Sequence, residues 1–157
     1  MTEPRYFAVA DPDDPGRITY WRRADSGQLA PWPAKARYGP ALYRKPGPGH
    51  QHVIPAGLSG EERQQWLLAW VEDVSAPWYR RAREAVDADP VTAAARFATL
   101  QCACVICGRS LSDAASRTYG VGPECSGSWP DARLAAAAEA VGRAHAEMLT
   151  NETAPVA

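Results

Sequence analysis

All four cysteines of this chain lie within a stretch of 24 residues, and no other feature of the sequence restricts the fold as strongly. Cys104 and Cys107 are separated by two residues, a spacing at which a tight turn directs two sulfur atoms toward one metal ion. Gly108 follows directly and suits a left-handed backbone at the end of such a turn. Cys125 comes after a glycine-containing segment and before a new helix. These features predict a metal-binding module at residues 101–128.

The ion that this cluster favours is zinc, held as a structural cofactor. Zn²⁺ prefers soft thiolate ligands, and a structural site normally has four of them. The remaining cysteine, Cys102, is the predicted fourth ligand, although two cysteines one residue apart bind a single ion only with strain. The predicted ligand set is Cys102, Cys104, Cys107 and Cys125.

Several alternatives to this zinc site stay open. The fourth ligand can instead be a carboxylate, a water molecule or one of the three histidines, His50, His52 and His145. An open fourth position would permit catalysis. The same four cysteines are also compatible with buried apolar side chains, a redox pair or an iron–sulfur cluster.

The segment from Cys104 to Cys125 reads CVICGRSLSDAASRTYGVGPEC. It resembles the signature C-x-x-C-G-R-x-L-T-D-x-x-S-x-x-x-G-I-G-P-x-C of an uncharacterised zinc-finger-like family, a domain of unknown function, in actinobacteria and their phages. Ser112 stands where the signature has threonine. The resemblance implies that Cys104, Cys107 and Cys125 bind zinc. It implies no reaction, because the biochemical role of that family is not established.

Two further residues of this segment have predicted roles in holding the module together. Arg109 is expected to donate to a thiolate or a backbone carbonyl, with a solvent-facing contact to phosphate as the alternative. Asp113 precedes Ser116 by three residues, so its carboxylate is expected to cap the short turn that contains Ser116.

The N-terminal part of the chain is basic, although the whole chain has a net charge of only −1. Residues 15–50 carry seven basic side chains against one acid, and aromatic side chains alternate with them. Bases stack on aromatic rings while arginine and lysine contact phosphates, so the pattern favours a nucleic-acid surface. A solvated sheet face with aromatic core residues is the alternative. The predicted nucleic-acid residues are Arg17, Arg22, Arg23, Lys35, Arg37, Arg44, Lys45, Tyr20, Trp21 and Trp32.

The spacing of apolar and turn-forming residues predicts an α+β fold. We expect a small N-terminal antiparallel sheet in a β-rich region at residues 1–58, with strands at 6–10, 18–23, 35–38, 41–44 and 52–54. A helical connector follows at 59–100, in which Trp66 and Trp70 face the core and Pro77 interrupts the helix. The zinc knuckle at 101–128 then leads into a C-terminal helix at 129–150 and a frayed tail at 151–157.

The sequence favours a binding protein over an enzyme. It contains no G-x-S-x-G nucleophile motif, no phosphate-binding loop and no P-C-x-x-C motif of the zinc deaminases. The first hypothesis is a zinc-stabilised, non-enzymatic protein of phage origin that acts on nucleic acid or its machinery. The alternatives are an interaction or inhibitor module for a host protein and a zinc enzyme with an open coordination position. With no apolar signal core and no run of 18 apolar residues, we expect a cytoplasmic protein without a membrane partner.

Overall fold

A three-stranded antiparallel sheet forms the N-terminal half of the fold. The computed structural model of this chain describes residues 3–153. Strands β1 (Tyr6–Ala10), β2 (Ile18–Arg23) and β3 (Leu29–Pro31) pair in the order β1-β2-β3. Phe7 lies opposite Trp21, which in turn lies opposite Pro31. With the helices described below, this sheet confirms the predicted α+β class.

The loop after this sheet differs from the prediction. Two very short strands, β4 (Leu42–Tyr43) and β5 (His52–Val53), pair in parallel, but no strand forms at residues 35–38. Instead, the Ala36 amide donates to the Pro33 carbonyl in a turn, and the Tyr38 hydroxyl donates to the Trp32 carbonyl over 2.8 Å. The prolines in this segment remove ladder donors and restrict φ, which favours an irregular loop.

The helical connector begins with α1 (Gly60–Trp70), whose first turn is closed by a reciprocal capping box between Ser59 and Glu62. A five-residue π-helical turn (Val71–Ser75) leads directly into α2 (Ala76–Ala88). The helical backbone is therefore continuous at Pro77, where an interruption was predicted, and the change to π-type hydrogen bonding lies in the five residues before α2. Pro77 lies in the first turn of α2 and has no amide to donate to the preceding π-helical turn.

Helix α1 also corrects the predicted core. It contains no buried residue, and both Trp66 and Trp70 are only half-buried. Trp70 packs edge-on against His52, with 5.7 Å between the ring centroids. The aromatic face of α1 therefore covers the β4–β5 loop region instead of entering the main core.

Four further helices follow within residues 3–153: α3 (Pro90–Gln101), α4 (Ala114–Tyr119), α5 (Pro123–Ser126) and α6 (Asp131–Thr153). Helix α6 ends three residues beyond the predicted position, and residues 154–157 of the predicted frayed tail lie outside the described residues. Ala95 of α3 packs with Ala140 and Ala144 of α6, and such small side chains allow the two helices to approach closely. Among the helices of residues 3–153, none combines the length and hydropathy that a bilayer crossing requires.

The main core is aromatic and joins the sheet to α2 and α3. The Phe97 ring lies 5.1 Å from Tyr6 and 5.1 Å from Trp32, measured between ring centroids. Trp21 and Trp78 pack 6.1 Å apart. The residues Ala103, Cys104, Val105 and Ile106 belong to the same buried cluster, so the cysteine segment is built onto the sheet and not appended to it.

Replacing Phe97 by alanine tests this description of the core. Phe97 is completely buried, so Phe97→Ala is expected to lower the free energy of unfolding by about 3–5 kcal/mol. Denaturant unfolding followed by circular dichroism measures the change. The matched control is Val91→Ala in the same helix, where the side chain is 57% exposed and the expected change is within about 0.5 kcal/mol. Equal effects of the two substitutions on the free energy of unfolding would contradict the placement of Phe97 in the core.

Candidate metal centre

The first two cysteines of the cluster lie on a tight hairpin that follows α3. Ala103 and Ser110 form an antiparallel bridge, and the Leu111 amide donates to the Cys102 carbonyl over 2.8 Å. Inside this pair, the Cys104 amide donates to the Arg109 carbonyl over 2.8 Å. The chain between Cys104 and Cys107 is therefore a compact turn.

Gly108 is required at the end of this turn. Its amide donates to the Cys104 carbonyl over 2.8 Å, and its φ is +76°. A Cβ atom there would lie 2.7 Å from the Tyr6 ring, so any side chain would collide with β1. The conformational freedom of Gly108 and the lack of space together explain the residue at this position.

The third cysteine reaches the hairpin through two short helices. Asp113 caps α4 by accepting from the Ser116 amide over 2.8 Å, as the sequence predicted. Gly120 ends α4 with φ +69°, and its carbonyl accepts from the Val105 amide over 3.0 Å. Gly122 then begins α5, which carries Cys125. Backbone hydrogen bonding between the hairpin and this return segment therefore brings Cys125 back to the hairpin.

Three sulfur atoms meet at this point. Those of Cys104, Cys107 and Cys125 all lie within 4.8 Å of one another. Two sulfurs bound to one zinc ion at about 2.3 Å can be no more than about 4.6 Å apart, so this spacing fits one ion after a small adjustment. Cys104 is buried, Cys125 is half-buried and Cys107 is exposed, so the cluster extends from the core to the surface.

The electrostatics of the cluster also suit a cation. Burial raises the pKa of Cys104, but hydrogen bonds from the backbone amides of Cys107, Gly122 and Ile106 outweigh it and hold this pKa below its ordinary value. The Gly122 amide donates to the Cys104 sulfur over 3.5 Å. Burial, followed by hydrogen bonding to Cys107 and the charge of Cys104, raises the pKa of Cys125 to about 12. The cluster stabilises one thiolate and opposes a second, and a divalent cation removes that opposition.

The structure does not bring Cys102 into this cluster. Cys102 ends α3 in the left-handed conformation with φ 47°, which is unusual for a residue other than glycine. Its thiol is exposed and lies 3.9 Å from the Thr99 carbonyl, outside the group of three sulfurs. The single left-handed residue at the end of α3 thus keeps the sulfur of Cys102, the predicted fourth ligand, apart from the other three sulfurs.

The three histidines also lie outside the group of three sulfurs. His50 stacks on Tyr43 with 3.6 Å between ring centroids, His52 packs on Trp70, and His145 is exposed on α6. Within residues 3–153, no fourth His, Cys, Asp or Glu side chain places a ligand atom inside the group of three.

Arg109 faces solvent, as the alternative prediction had it, but its partner in the structure is a carboxylate. Its guanidinium pairs with the Glu124 carboxylate over 3.0 Å, and both side chains are exposed. This ion pair connects the segment after Cys107 to the segment that carries Cys125. The pairing of Arg109 with an acid 15 residues later depends on the return of the chain, which spacing alone does not reveal.

The predicted nucleic-acid residues separate into two groups. Trp21 is completely buried, and its indole donates to the Thr19 hydroxyl over 2.9 Å, so its predicted role in stacking is wrong. Tyr20 and Trp32 are half-buried and packed against the core. Arg23 forms an ion pair with Asp87 over 2.7 Å. The other six bases are exposed and form no ion pair with an acid in the described part of the chain: Arg17, Arg22, Lys35, Arg37, Arg44 and Lys45.

The segment that contains the cysteines is similar to a known protein family. A model described as a family of unknown function, DUF6011, matches residues 94–130. The match begins within α3 and includes all four cysteines, the hairpin, α4 and α5. No curated protein and no solved structure matches the chain. The similarity is therefore to a domain whose function is unknown, over the part of the chain that contains the three clustered sulfurs.

Cysteine substitutions test which sulfurs bind a metal. Cys104→Ser is expected to abolish stoichiometric zinc binding and to lower the melting temperature, because the metal-binding free energy contributes to folding. Elemental analysis of dialysed protein and thermal unfolding measure both effects. Cys102→Ser is the matched control, and it is expected to retain the metal of the unsubstituted protein. Loss of zinc from Cys102→Ser would show that the fourth cysteine is a ligand after all.

The pH dependence of metal retention follows from the thiol chemistry. Metal and protons compete for the same sulfur lone pairs, so the apparent affinity falls as the pH falls. Because the pKa of Cys125 is raised, its sulfur holds a proton up to high pH, and a metal ion must displace that proton in order to bind. Zinc release to a chromophoric chelator is expected to increase from about pH 8 to about pH 5, together with a loss of thermal stability. Release that is independent of pH would argue against thiolate ligands.

Proposed function

We propose that Cys104, Cys107 and Cys125 hold one zinc ion as a structural fastener. The observation that carries this proposal is the approach of three sulfurs, from two separate segments, to within 4.8 Å. A cubane or two-iron cluster takes four protein ligands. Zinc is also found with three protein ligands and one exchangeable ligand, which fits the three sulfurs that converge here. Zinc binds thiolates without redox chemistry, which suits a site that extends into the core.

A structural role agrees with the surroundings of the cluster. Cys104 belongs to the main buried cluster, and Cys125 packs against it. Helix α5 has only four residues, too few to be stable without an external anchor. The charged neighbours Arg109 and Glu124 pair with each other instead of presenting a separate acid and base. We therefore propose a non-enzymatic protein in which the ion joins α5 to the hairpin.

We further propose that the exposed bases of residues 15–50 bind the phosphate backbone of a nucleic acid. Six of the seven bases in this segment are exposed and have no acid partner among residues 3–153. Elsewhere in the chain, arginines such as Arg81 and Arg96 form ion pairs with acidic side chains. Because Trp21 is buried and Tyr20 and Trp32 pack on the core, the proposal rests on the exposed basic side chains and not on stacking of bases on aromatic rings. Such binding is weakly sequence-specific and strongly salt-dependent.

Paired charge-removing variants test the nucleic-acid proposal. Arg44→Gln with Lys45→Gln is expected to weaken binding to labelled single- and double-stranded DNA and RNA. Each lost phosphate contact also flattens the logarithmic salt dependence by about one. Fluorescence anisotropy at several salt concentrations measures both. The matched control, Arg80→Gln with Arg83→Gln on α2, removes the same charge from exposed positions outside the segment. The proposal fails if no nucleic acid shows salt-sensitive binding, or if the control weakens binding equally.

One observation favours the second candidate function, interaction with a host protein. Helix α1 buries none of its residues, and Leu68 and Val71 are 63% and 47% exposed. They are three residues apart and share one face of the helical segment. Recovery of a stoichiometric protein partner from nuclease-treated host lysate, lost on Leu68→Glu, would support this function over the first.

A further inference from the structure

We propose that the zinc ion keeps a fourth coordination position that this chain leaves open, and that this position takes a neutral imidazole nitrogen from outside the chain. The inference rests on the proposed zinc site and adds a ligand class to it.

The number of protein ligands at the cluster is smaller than the number that a closed zinc site has. Zinc in proteins takes four ligands in structural sites, and three protein ligands plus an exchangeable one in open sites. Three sulfurs converge, and no further His, Cys, Asp or Glu of residues 3–153 joins them. Residues 1–2 and 154–157 contain none of these four residue types. The chain therefore supplies three ligands in this arrangement.

The nearest remaining thiol is held elsewhere. The Cys102 carbonyl accepts from the Leu111 amide, which fixes the backbone at this point of the hairpin. With φ 47°, Cys102 directs its sulfur to the Thr99 carbonyl at the end of α3. In this arrangement the sulfur of Cys102 is not among the three that lie within 4.8 Å of one another.

The sulfur cluster is accessible to solvent on one side. Cys104 is 1% exposed, whereas Cys107 is an exposed residue and Cys125 is half-buried. The cluster is closed on the side of the core and reaches solvent on the side of Cys107. A ligand from outside can therefore approach the ion without any movement of the core.

The charge of the cluster favours a neutral fourth ligand over an anionic one. Three thiolates and Zn²⁺ give a net charge of −1, and the nearby Arg109 is neutralised by Glu124. An anionic fourth ligand would add a second uncompensated negative charge, whereas an imidazole nitrogen would add none. Imidazole is also a common zinc ligand beside cysteine thiolates. Its lone pair replaces a solvent donor, and neither the metal nor the sulfurs change oxidation state.

Cobalt(II) in place of zinc reports ligand exchange through its visible absorption spectrum. Titration of the cobalt-loaded protein with imidazole is expected to change the spectrum saturably, at a lower concentration than the anion thiocyanate requires. Glu124→Gln leaves Arg109 unneutralised. This variant is therefore expected to lower the half-saturating concentration of thiocyanate by about two- to fivefold, the range for an exposed charge pair, and to leave that of imidazole nearly unchanged.

Three outcomes would overturn this inference. The first is a cobalt spectrum that imidazole does not change, and the second is thiocyanate binding that is as tight as imidazole binding. The third is a ligand-free cobalt spectrum that Cys102→Ser or Glu124→Gln alters. The last would show that a side chain of this chain fills the fourth position. Failure of the protein to bind cobalt or zinc at all would instead overturn the metal site itself, so the two proposals fail separately. A ligand-free spectrum that depends on protein concentration and loses this dependence in His145→Ala would support the inference and identify a second copy as the imidazole source.

Discussion

Val105, which lies between the two cysteines of the hairpin, connects the parts of this structure. Its carbonyl accepts from the amides of Arg5 and Tyr6 over 2.7 and 3.0 Å, and its amide donates to the Gly120 carbonyl over 3.0 Å. One residue thus joins the start of β1, the hairpin and the segment that returns to Cys125. Because its side chain is also buried, the position of the sulfur cluster is set by the sheet and does not depend on the cysteines alone.

The aromatic core and the charged surface contribute differently to the stability of this chain. Rings from the sheet, α2 and α3 fill the interior around Phe97 and Trp21. Most ion pairs lie at the surface, where each contributes little to stability. Apolar packing therefore carries most of the stability, and the exposed basic side chains that have no acid partner among residues 3–153 are the ones that we propose to bind phosphate groups.

Local chemistry accounts for the features that the sequence could predict. Strands β1 and β2 follow from β-branched and aromatic residues between turn-forming segments, and the caps at Ser59 and Asp113 follow from short-range hydrogen bonding. The two-residue spacing of Cys104 and Cys107 identified the hairpin turn.

The features that the sequence did not reveal depend on tertiary contacts. The burial of Trp21 results from packing against α2, and the continuous helix through Pro77 results from the π-helical turn that precedes it. The separation of Cys102 from the cluster results from a single left-handed residue at the end of α3. None of these three features has a periodic pattern in the sequence, so spacing and composition could not predict them.

The packing of Trp21 against Trp78 has a spectroscopic consequence. Their ring centroids are 6.1 Å apart, both rings are buried, and they are inclined by 38°. Indole transitions held at this distance and angle couple and contribute their own signal to the far-ultraviolet circular dichroism. The helical content obtained from such a spectrum will therefore contain an aromatic contribution, and the loss of that signal will report the separation of β2 from α2.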